Sequence, residues 1–167
     1  MNEQSNIAQD ARSAAEWVAS ALSSSGYTMD FSIKSFKEID RFFEEHAPHG
    51  EAKPGGLLSE NFGNRMFSIG AYVGEVMCRR TGATWQGDDR DPDAEINIKV
   101  RFKRGQIIWP VQKVMKRFDR GPRDSIYDYG MALVDFQKPP WVRFLRRLFA
   151  RTRWTLTPRP PPPGAKS

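Results

Sequence analysis

The sequence predicts a small α+β domain: an antiparallel sheet of two to three strands packed with about five helices, then a C-terminal basic amphipathic helix and a proline-rich tail. Three observations predict it. Apolar residues recur at helical spacing on both sides of the chain's centre. The central block "EINIKVRF", residues 95–102, alternates with a period of two. Residues 137–167 carry eight basic side chains and no acid.

The elements follow in order. Ile7, Ala11, Ala14, Val18, Ala21 and Leu22 mark a first helix over Ile7–Ser25, stopped by Gly26. Tyr27–Phe31 reads as a short extended piece. Ser35-Phe36-Lys37-Glu38 has the form of a capping box. It opens a second helix with Phe36, Ile39 and Phe43 on one face, closed by Pro48. "HGEAKPGG" is a loop by its glycine and proline. Leu58–Thr81 reads as the longest helix, striped by Leu58, Phe62, Met66, Ile69, Val73, Val76 and Met77 and stopped by Gly82. Its three glycines, Gly63, Gly70 and Gly74, each cost about 1 kcal/mol of helix propensity. Keeping them implies close approach of another backbone, and Glu75, Arg79 and Arg80 place that packing in a water-soluble context.

In the strand block, Ile96, Ile98, Val100 and Phe102 should face the long helix, with Asn97, Lys99 and Arg101 outward. "KRGQ" is a turn, and "IIWPV" returns as a strand that Pro110 ends or confines to an edge. Ala83–Gln86 supplies a third strand. Val111, Val114, Met115 and Phe118 then face inward from a helix closed by Gly121. Pro122 opens another, with Ile126, Tyr129, Leu133 and Phe136 inward.

Length and charge set the bounds on function. A chain of 167 residues fits one domain, here 1–136, followed by a tail, 137–167. With eight of the 26 basic residues and none of the 20 acids in the tail, the body holds 18 basic against 20 acidic side chains, a net of −2. The tail therefore carries the whole basic excess, which points to an acidic partner for it. Cys78 is the single cysteine, so no internal disulfide forms. The polar start lacks a basic and apolar leader, and no stretch approaches the ~18 apolar residues of a membrane span. The expected location is the cytoplasm, or the periphery of the inner membrane.

The blocks "FSIGAYVGEVMCRRTGATW", "AEINIKV" and "IIWPVQKVMKRFDRGPRDSIYDYGMAL" resemble a widespread bacterial domain of unknown function. The likeness lies in a Gly-Ala-Tyr-x-Gly-Glu-Val helix, a Trp-Pro strand end and a Gly-Pro-x-Asp-Ser turn. It covers residues 31–134. It implies a small α+β fold and transfers no catalytic residue.

The candidate chemistry is sparse. His46 and His49 are spaced i, i+3 near Glu44 and Glu45, but Pro48 lies between them and no cysteine pair completes a zinc site. Asp89, Asp91 and Asp93 alternate as in a calcium loop, yet Ala94 and Val100 stand where glycine and glutamate belong. Cys78 precedes Arg79 and Arg80, which favour a thiolate, but it reads better as a packing residue. Ser125 lacks a nucleophile elbow and reads as a helix cap. No phosphate-binding glycine loop occurs. No cofactor, metal or catalytic residue is expected, and an enzyme with a dispersed site ranks last.

Two surfaces remain. Tyr72, Glu75, Trp85, Trp109 and Asp124 have the residue types of a partner-binding surface. The alternative is that both tryptophans fill the core and the polar groups cap helices. In the tail, "WVRFLRRLFARTRW" placed on a helix gathers Trp141, Val142, Phe144, Leu145, Leu148 and Phe149 within an arc of ~160°. Arg143, Arg146, Arg147, Arg151 and Arg153 fall in the opposite arc. This helix, ~21 Å long, either docks on the body or binds an anionic membrane surface, RNA or an acidic protein. The composite expectation is a bacterial module acting by protein binding, as an adaptor or a toxin-neutralising (immunity-type) protein. The alternative is membrane or nucleic-acid binding through the tail.

Overall fold

The computed structural model describes residues 6–48, 50–139 and 142. His49 and the tail residues Trp141, Arg143, Phe144, Leu145, Arg146, Arg147, Leu148, Phe149, Arg151 and Arg153 lie outside the described residues. Among the described ones the elements run α1 (Asn6–Ser24), α2 (Phe36–His46), α3 (Phe62–Thr81), β1 (Thr84–Gln86), α4 (Ala94–Asn97), β2 (Lys99–Arg101), β3 (Ile107–Ile108), α5 (Pro110–Arg120) and α6 (Ile126–Gln137). The class is α+β, as the sequence predicts. The strands form an antiparallel sheet in the order β1-β2-β3.

α3 is the central element. From Met66 to Met77 every residue is buried, because α1, α5 and the sheet pack around it. Two of its glycines make that possible. A Cβ on Gly70 would sit 2.6 Å from the Val111 Cα of α5, and one on Gly74 would sit 2.0 Å from the Trp85 ring of β1. Gly63 meets nothing within 4 Å, so close approach does not explain it. α6 repeats the device from another side: a Cβ on Gly130 would lie 2.5 Å from the Phe36 ring.

Several expectations are corrected. The long helix starts at Phe62, not Leu58. Asn61 is left-handed at φ 50°, a conformation its short polar side chain tolerates but a helix interior does not. Leu58 is still buried, held in a turn in which the Ser59 hydroxyl donates to the Gly56 carbonyl. The capping box at Ser35 does not form. Ser32 takes that role one 3-10 turn earlier, accepting from the Ser35 amide, and Glu38 pairs with Arg41 instead. Tyr27–Phe31 joins no sheet.

The strand block is shorter than its alternation suggests. Asp91 accepts from the Asp93 amide and the Asn97 side chain, winding Ala94–Asn97 into a helical turn before the strand begins. Ile96 is therefore 40% exposed, while Ile98, Val100 and Phe102 are buried as expected and Arg101 faces water. In α6 the seat is Ile126, Gly130 and Leu133. That face turns Phe136 outward, to 46% exposure, and leaves Tyr129 half-buried.

Candidate functional site

Of the five body residues singled out as a surface, three face inward. The Tyr72 hydroxyl accepts from the Phe31 amide at 2.9 Å and bonds the Ser35 hydroxyl at 2.7 Å. Since Ser35 donates its one proton to the Ser32 carbonyl, Tyr72 is the donor to Ser35. These contacts fix Phe31, a bulky residue held at φ 55°, whose ring also packs on Tyr72 and lies 3.8 Å under the Arg79 guanidinium. Glu75 accepts from the Trp85 indole at 3.0 Å through one oxygen and from Arg79 at 2.9 Å through the other. Arg79 also pairs with Glu16 of α1. Tyr72, Glu75 and Trp85 thus tie α1, β1 and the segment before α2 to α3, so they offer a partner no surface.

Asp124 pairs with Lys113 at 2.8 Å, whose ammonium holds its carboxyl below the usual carboxylate range. It is partly covered, closing the turn between α5 and α6. Trp109 remains on the surface, 42% exposed, at the start of α5.

Among the metal and nucleophile candidates, the side chains of Asp89, Asp91, His46 and Ser125 have structural partners. Asp89 accepts from the Asn6 and Ile7 amides, both at 2.9 Å, and so caps α1. Asp91 closes the turn at α4, and Asp88 accepts from the Arg90 amide. His46 packs on Phe42, and burial pushes its imidazole below its ordinary value. Tyr27 donates to Glu45 beside it. Burial, reinforced by the Glu75 charge, pushes the Cys78 thiol up to about 12, so Arg79 and Arg80 do not activate it. Ser125 caps α6 by accepting from the Asp128 amide.

The sequence reading missed two features. The first is Asp40 with Arg117. Arg117 is 1% exposed and donates to the Asp40 carboxylate at 2.8 Å and to the Asp40 carbonyl at 3.0 Å. The same carboxylate accepts from the Ser125 hydroxyl and from the Ile126 and Tyr127 amides. The second is Trp17. It lies off the apolar stripe of α1 and is 60% exposed. A tryptophan on the polar side of an amphipathic helix was the signal available.

Trp17 stands between two depressions. One, about 70 Å³, is apolar and lies between α1, α2 and α3, lined by Val18, Leu22, Phe42, Leu57 and Ile69. The other, about 590 Å³, is open and of mixed character, with Ala14 and Phe67 beside Ser13, Asn61, Asn64, Ser68 and Glu95. Trp17 and Arg65 line both. Asn61 makes no side-chain capping bond, and Arg65 donates its Nε to the Glu60 carbonyl, which sets the guanidinium at the cleft wall. Covering the exposed part of an indole contributes roughly 2–3 kcal/mol.

Comparison of the chain with protein-family models, with curated proteins and with solved structures finds no match. No described helix is long and apolar enough to cross a membrane.

Proposed function

We propose that the chain works by protein binding, as an adaptor or toxin-neutralising partner, and that the α1–α3 face is its docking surface. The observation that carries this is Trp17, exposed between a small apolar pocket and a wider cleft of mixed lining, with Arg65 lining both. Trp and Arg dominate binding energy where a partner excludes water around them. The pocket would take one apolar side chain of the partner, and the cleft would take the mixed polar and apolar groups around it.

The test places a photo-crosslinking residue at Ser13 of the full chain, with Lys34 as the control position. A partner captured from Ser13 should lose affinity about 30-fold on Trp17→Ala, equivalent to about 2 kcal/mol. Arg65→Ala should also weaken it. A partner captured equally from both positions, and indifferent to Trp17→Ala, would place docking elsewhere.

A further inference from the structure

The outer face of the sheet carries cations and an aromatic ring, with no acid among its described residues. Trp85, Val100 and Ile108 point into the core. Alternation therefore sends Thr84 and Gln86 outward from β1, Lys99 and Arg101 from β2, and Ile107 from β3, with Trp109 just beyond it. Thr84, Arg101 and Ile107 are register partners across the three strands. Gln86 pairs with Lys99, and the same register carried one residue past β3 sets Trp109 opposite Lys99. Neither Lys99 nor Arg101 forms an ion pair with a described residue.

The two connections of the sheet differ in sign: the one from β1 to β2 carries exposed Asp88, Asp89, Asp93 and Glu95, and the one from β2 to β3 carries cations. The β2–β3 turn contributes exposed Lys103 and Arg104. Arg104 donates to the Phe136 and Lys138 carbonyls and so fixes the point where the chain leaves α6 beside the hairpin. From Lys138 onward the sequence has eight basic residues and no acid. The acid-free stretch begins at the edge of the acid-free face.

We infer that this face binds a single-stranded nucleic acid, with Lys99 and Arg101 contacting phosphates and the Trp109 indole stacking on a base. Cations aligned beside an exposed aromatic ring are what a single strand requires, because its phosphates need charge and its unpaired bases need a flat apolar surface. A duplex hides its base faces and gives Trp109 nothing to stack on. A membrane surface needs a broad apolar face, and the outward positions of the three strands themselves hold one apolar side chain, half-buried Ile107. This surface is separate from the Trp17 face, so each can fail without the other.

The experiment measures fluorescence anisotropy of a labelled oligothymidylate or oligouridylate of about 16 nucleotides, with the full chain, over a salt series. Lys99→Glu with Arg101→Glu should weaken binding about tenfold or more. The neutral pair Lys99→Gln with Arg101→Gln should lower the slope of log affinity on log salt by about 1.4, at about 0.7 for each phosphate neutralised. Trp109→Ala should weaken binding about fivefold or more with the slope unchanged. Circular dichroism should show every variant folded, and Arg101→Lys should retain the slope. The inference is overturned by absence of binding at about 50 mM salt. It is equally overturned if only Arg146→Glu with Arg147→Glu weakens binding, if a duplex of the same length binds as tightly, or if the face instead recruits the chain to phosphatidylglycerol vesicles.

Discussion

Asp40 holds the buried end of the molecule with one carboxylate. It is the counter-charge of Arg117, 77 residues away, and the acceptor for Ser125 and for the first amides of α6. Breaking a buried pair from one side leaves the other charge without compensation, at a cost of about 3–5 kcal/mol. Asp40→Ala should therefore lower the urea-unfolding free energy by about that amount, and Asp40→Asn, which keeps an acceptor, by less. A loss under about 1 kcal/mol would mean that Glu44, 3.5 Å from Arg117, suffices. Part of this was legible: Arg117 follows Val111 and Val114 at three-residue spacing, in the stripe that faces the core. Its partner was not, because helical periodicity says which face is buried and not which distant residue meets it. The same limit applied to Tyr72, Glu75 and Trp85. The sequence blocks that raised them as a surface are explained by packing and by hydrogen bonds inside the fold.

Among the elements, the glycines of α3 give the sharpest test. Gly70→Ala drives a methyl into the α5 backbone at Val111, which can yield only by moving the helix. Gly74→Ala drives one into the Trp85 ring, which is itself tied to Glu75. Both should destabilise by about 1–3 kcal/mol or more, as overpacking does. Gly63→Ala meets no atom and should be neutral or stabilising by up to about 1 kcal/mol. Thermal melts of the three variants read this directly, and a stable Gly70→Ala would sink the close-packing account. The spacing of apolar residues made the helices and their order legible, and Gly26, Gly82 and Gly121 mark stops with φ of 88°, 67° and 69°. It failed where local hydrogen bonding overrode it: at Asp91, which winds Ala94–Asn97, and at Ser32, which caps ahead of Ser35. A period-two pattern over 96–102 cannot distinguish one helical turn plus a short strand from a longer strand.

At the scale of the whole molecule, one core runs from Ile7 to Leu133, and the weak acids in and against it set an alkaline limit. Burial pushes the Cys78 thiol and the Tyr129 hydroxyl up to about 12, and burial with the Glu45 carboxylate does the same to Tyr27. Each group has its ordinary value near 9 or 10, so above that the unfolded chain releases protons that the folded one retains. Stability should be full below about pH 9 and fall between about pH 9 and 12, by up to about 1.4 kcal/mol per pH unit for each group. Urea midpoints that stay flat over that range would show that the folded state ionises these groups without loss. The buried cluster closes at Leu133, and among the described residues the hydrogen bond that spans a chain end placed after Pro139 is that of the Val142 amide to the Pro139 carbonyl. A chain of residues 1–139 should therefore unfold cooperatively, within about 1 kcal/mol of the full chain in urea. It should no longer bind anionic vesicles if the five arginines of 141–154 form a membrane-binding helix. Should truncation instead cost several kcal/mol, the apolar face of Trp141, Phe144, Leu145, Leu148 and Phe149 docks on the body. The arginines would then be its solvated side, and the membrane reading of the tail would be withdrawn.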